Sequence, residues 1–103
     1  MMNNQEYYSS ITTLLLEFGW KKEACTKGTM NAWTKSGIAK KIMMPTEEFI
    51  EDEHAVVLYN KAIKALSTYE NLSDESIQNK LENYVSYADV ISVRTSGGGV
   101  EHG

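Results

Sequence analysis

Seven side chains, Ala55, Leu58, Tyr59, Ala62, Ile63, Leu66 and Tyr69, recur at the spacing of one face of an α-helix and hold that face for about four turns. Such a helix carries an apolar stripe that a second layer must cover, so the rest of the chain has to supply that layer. Upstream, Tyr7, Ile11, Leu14, Leu15 and Phe18 predict a first helix, and Gly19 stands where a left-handed cap ends one. Between them the period shortens. The segments "WKKEACT", "TMNAWT" and "AKKIMM" are bounded by turn residues at Lys27-Gly28 and at Lys35-Ser36-Gly37, the pattern of a three-stranded antiparallel meander. Pro45 has no N–H to give a central ladder and so should end the third strand, with Thr46 or Asp52 capping the helix that follows.

After "ENLSDES", Ser73 is placed as an N-cap with Asp74 and Glu75 in the first turn, and Ile77, Leu81, Tyr84 and Val85 predict a shorter third helix. "ADVISVRT" is written like a strand, expected to join the sheet or to pair with a second copy. The expected class is α+β: helix, three-stranded antiparallel meander, long helix, then a shorter helix and a terminal strand. At 103 residues this is one domain, taken as 1–95. Residues 96–103 are a Gly-rich tail or linker, expected to lead into a longer protein.

With 42% hydrophobic and 23% charged residues the composition is that of a folded protein rather than a disordered tail. The single cysteine, Cys25, cannot form an internal disulfide. "MMNNQEYYSS" lacks the basic residues and apolar run of a signal peptide, and no stretch approaches the roughly 20 apolar residues of a membrane span. These features predict a soluble, cytoplasmic protein.

The order helix, three strands, helix resembles the double-stranded-RNA-binding fold and the small HicA-type toxins built on it. The resemblance is carried by Gly19-Trp20 after the first helix, Gly28-Thr29-Met30-Asn31 leading into the second strand, the Gly37 turn and the Pro45 stop. It spans residues 7 to 70. Met30 and Asn31 stand where such toxins carry the two histidines used to cleave RNA. The resemblance therefore implies the fold and an RNA-directed ancestry without the catalytic histidine.

No other chemistry is complete. His54 lies among Glu51, Asp52 and Glu53, where acids at a helix start complement the macrodipole without a metal. His102 is in the tail, and the two histidines match no zinc spacing. Cys25 has neither histidine near it in sequence to act as its base. Gly97, Gly98 and Gly99 lack the Lys-Ser/Thr pair of a phosphate loop, and Glu47-Glu48 with Glu51-Asp52-Glu53 lack the alternation of a calcium loop. The expectation is no catalytic residue, no metal and no cofactor.

The net charge of −4 conceals a segregation: −2 over residues 1–19, +5 over 20–45 and −7 over 46–103. If the helices cover one face of the meander, Lys27, Lys35, Lys41 and Trp33 lie on the other, suited to phosphate contact and base stacking. Pleating further divides the lysines. With Ile42 and Met44 inward, Lys41 points outward and Lys40 reaches solvent by extending its stem. The first expectation is thus a non-catalytic module binding RNA or DNA through a basic meander. The alternative is a protein-interaction or oligomerisation module that uses the acidic helical half. No membrane partner is expected.

Overall fold

The computed structural model describes residues 2–23 and 28–85. Helix α1, Asn4–Glu17, begins at a reciprocal capping box: the Asn3 side chain accepts the Glu6 N–H at 2.8 Å, and the Glu6 carboxylate accepts the Asn3 N–H at 3.0 Å. At its other end the Trp20 N–H donates to the Leu15 carbonyl at 2.9 Å and the Gly19 N–H to Leu16 at 3.0 Å. With Gly19 at φ +92° this is a Schellman closure, and it drops Trp20 into the core beside the helix it follows.

Three antiparallel strands follow in the order β1 (Lys21–Lys22), β2 (Met30–Lys35) and β3 (Ile38–Pro45). The expected meander is present, and residues 38 to 45 are extended throughout. In its described part the first strand is shorter than "WKKEACT", although the Glu23 N–H still reaches the Ala32 carbonyl at 2.8 Å. Between β2 and β3 the register runs from Met30 opposite Pro45 to Trp33 opposite Ile42, then shifts before Lys35 meets Ile38. The two-residue turn Ser36-Gly37 has positive φ only at Gly37, unlike the I′ turns that match strand twist, and the shift behind it accommodates the difference.

A 3-10 turn, Glu47–Phe49, leads to α2, Ala55–Tyr69. The apolar face read from the sequence is the buried one: Ala55, Tyr59, Ala62 and Leu66 are closed off, with Ile63 and Tyr69 packed at the margin. Neither expected cap holds α2. Asp52 instead closes the preceding turn, its carboxylate accepting the His54 N–H at 2.8 Å and its carbonyl the Ala55 N–H at 2.9 Å. Thr46 makes no side-chain cap bond either. The side chain of Ser73 does cap the next helix, α3 (74–85), accepting the Ser76 N–H at 3.0 Å.

The helices share one core with one face of the sheet. Ile11, Leu14 and Leu15 of α1, Ile42 and Met44 of β3, Leu66 of α2 and Ile77 and Leu81 of α3 are all excluded from solvent. The chain is therefore α+β, as expected. "ADVISVRT" and the glycine-rich tail lie outside the described residues, so the expected terminal strand does too. Among the described residues no helix is long and apolar enough to cross a membrane.

Candidate interaction surface

The strand register decides which of the expected site residues face solvent. Trp33 pairs across to Ile42, on the row that carries the core, and is only 4% exposed. The expectation of an outward, base-stacking Trp33 is corrected: its ring is core packing, because the helices cover the face on which it stands.

Lys35 is engaged as well. Its Nζ lies 2.7 Å from Glu70 Oε2, and the same oxygen accepts the Trp20 indole N–H at 3.0 Å. Charge counting along the chain could not single out Glu70, since it lies just past α2 and 35 residues from its partner. Lys41 donates to Glu23 at 3.1 Å, but both ends are about half exposed, so the pair is weak and easily exchanged. Lys27 and Cys25 lie outside the described residues. Lys21, Lys22 and Lys40 are exposed. Ala39, Lys40 and Lys41 form an unbroken exposed run where the register shifts, so the pleat alone does not separate Lys40 from Lys41.

The acidic half is more organised than its sequence suggested. Ile50, in the middle of the acidic segment, has a carbonyl that accepts both the Asn4 side-chain N–H at 3.1 Å and the Tyr59 hydroxyl at 3.0 Å. These two bonds fasten the segment to α1 and α2 at once. The ring of Tyr59 stacks on Tyr7, with centroids 5.9 Å apart. Around this anchor Glu47, Glu48, Glu51 and Glu53 stand exposed, and among the described residues none pairs with a lysine or arginine. Glu53 comes within 3.9 Å of His54, its own neighbour.

Their field is felt inside. Burial, and after it the charge of Glu51, pushes the Tyr59 phenol up to about 12. Burial followed by Glu47 raises that of Tyr8. Beside the acids, Val56 and Val57 are 44% and 50% exposed at the start of α2. Further along, α2 and β3 enclose a shallow groove lined by Met30, Lys41, Met43, Leu58, Lys61 and Ala65. Among the described residues no group of three or more His, Cys, Asp or Glu converges on a point that could hold a metal ion. Comparison with protein-family models, curated proteins and solved structures returned no match.

Proposed function

We propose that this chain is a protein-interaction module that docks a basic partner on the segment 47–53. The observation that carries the reading is the Ile50 anchor. A segment holding four exposed carboxylates, unpaired with lysine or arginine among the described residues, is fixed to two helices by hydrogen bonds to one carbonyl. Four like charges on one short anchored segment repel one another, and a cationic partner relieves that repulsion. Val56 and Val57 supply adjacent apolar contact. Anisotropy of a labelled peptide of alternating lysine and leucine tests this reading. Binding should weaken roughly 10-fold or more when Glu47, Glu48, Glu51 and Glu53 are all changed to Gln, and should weaken with salt. Unchanged binding by that variant would refute the reading.

A second reading rests on Lys21, Lys22, Lys40 and Lys41. Lys21 is in register with Thr34 and Lys22 with Trp33, so the two leave opposite faces of the β1 edge, and with Lys40 and Lys41 these exposed residues flank β2 on both sides, spanning about 10 Å across three strands. Such a band suits phosphate contact without base stacking, and so RNA or DNA binding that is indifferent to sequence. In gel shifts at low salt, changing Lys21 and Lys22 to Ala should weaken binding of all sequences alike and reduce the salt slope by roughly two units. Binding that survives these changes would count against it.

A further inference from the structure

We infer that the basic partner is a second copy of this chain, the α2 helices of the two copies lying antiparallel about a twofold axis at Val57; this rests on the acidic-docking reading and names its partner. Val56 and Val57 are 44% and 50% exposed, two chain neighbours among the four large apolar side chains that stand out into solvent in the described residues. Val57 lies on the side of α2 turned away from the buried stripe of Ala55, Tyr59, Ala62 and Leu66. A single exposed valine is ordinary on a helix surface. What sets this one apart is the charge on either side of it.

Glu53 stands four residues before Val57 and Lys61 four residues after it, so one side of the helix and its leading turn reads acid, apolar, base. That turn carries the helix direction back to Glu53, since the Ala55 N–H donates to the Asp52 carbonyl at 2.9 Å and the Val57 N–H to the His54 carbonyl at 3.2 Å. Glu53 and Lys61 are both exposed, and among the described residues neither belongs to a lysine–carboxylate pair. Reversing the stripe about Val57 sets each Glu53 opposite Lys61 of the other copy, about 6 Å from the axis along the helix. A parallel pair would set like against like, so the charges select the antiparallel arrangement. On the flank toward α3, Lys64 already holds Asp74 at 3.3 Å, which leaves Lys61 as the α2 cation for a partner. Docking on the Lys61 side also keeps the glutamates of the second copy away from Asp74 and Glu75. Leu58, at the edge of the groove with β3, adds apolar contact there.

Two valines from each copy and two ion pairs make a small interface, of the weak and readily reversed kind. Exposed ion pairs are screened, so association falls as salt rises. Packed helices lie about 8–10 Å apart axis to axis, which brings the two copies of position 57 close enough on the twofold axis for a disulfide if each were cysteine.

Two measurements on the full chain test the proposal. In sedimentation equilibrium at up to about 1 mM protein the unaltered chain should dimerise at low salt and dissociate as salt rises. Lys61→Glu and Glu53→Lys should each dimerise roughly 10-fold or more weakly, because the stripe then repels its own copy, while an equimolar mixture of the two should regain the dimer. With Cys25→Ser as background, Val57→Cys should form an intermolecular disulfide under mild oxidation far faster than Asn79→Cys, whose cysteine lies on α3 away from the axis. An unaltered chain that stays monomeric, charge variants that associate as well as it does, or equal cross-linking at the two positions would overturn the inference. If the chain is monomeric but still binds the lysine-leucine peptide through its glutamates, the docking reading survives with a different partner. If that peptide also fails to bind, both fall.

Discussion

Lys35 and Glu70 meet at 2.7 Å, joining the hairpin end of the sheet to the residue that closes α2, and the carboxylate oxygen they share also takes the indole N–H of Trp20. One acceptor thus holds three parts of the chain: the exit from α1, the β2–β3 hairpin and the end of α2. Glu70 is 12% exposed at its side chain and Lys35 28%, so the carboxylate is the more enclosed member.

Replacing Glu70 with Ala leaves the Trp20 N–H without its acceptor in a buried setting, at a cost of about 1–3 kcal/mol. Lys35→Met removes one partner and leaves the other bond in place, so the loss should be smaller, below about 1 kcal/mol. Urea denaturation monitored by tryptophan fluorescence reports both. Equal midpoints for the two variants would contradict this ranking.

Trp33 separates a core role from a recognition role. Trp33→Ala opens a cavity among Ile42 and its neighbours and should cost about 3–5 kcal/mol, with Trp33→Phe substantially milder. If nucleic acid binds the lysine band, a folded Trp33→Phe should bind it unchanged. A large loss of binding with full stability would restore the stacking role.

Stability should fall at high pH through Tyr59. Its phenol titrates near 10 when unfolded and at about 12 when folded, chiefly because of burial. Between those values the folded state holds the extra proton, so stability declines as pH rises through the window and is fully retained below it. Tyr59→Phe should flatten the decline relative to the unaltered chain and cost about 1 kcal/mol at neutral pH, since the Ile50 carbonyl loses one of two donors. Some slope should persist from Tyr84, raised to about 12 by burial and by its hydrogen bond to Glu17. Identical pH profiles for the two proteins would exclude this assignment.

Gly19→Ala probes the closure of α1. The backbone there is left-handed at φ +92°, while an added methyl carbon would meet only the Lys35 side chain at 3.9 Å. The cost is therefore backbone strain rather than collision, about 1–3 kcal/mol. A thermal midpoint equal to that of the unaltered chain would show that another residue sets the turn.

Among the described residues, the sequence by itself determined the elements. Apolar residues recurring at 3.6 define the faces of α1 and α2, Gly19, Gly37 and Pro45 punctuate at the right places, and Ser73 caps α3, because period, φ freedom and N–H count are local properties. Locality is also where this reading stops. Helix α2 starts at Ala55 rather than at Asp52 because the 3-10 turn and the Asp52 turn hold the backbone between Thr46 and the helix. Which face of the meander Trp33 occupies depends on where α1 and α2 settle, a choice the alternation of a strand leaves open. Lys35 and Glu70, or the Ile50 carbonyl with Asn4 and Tyr59, become partners only when chain folding brings together groups 35, 46 and 9 residues apart. Charge and periodicity are written along the chain, but a surface is made of residues from several elements, and only their packing decided which cations were already paired and which carboxylates stood exposed.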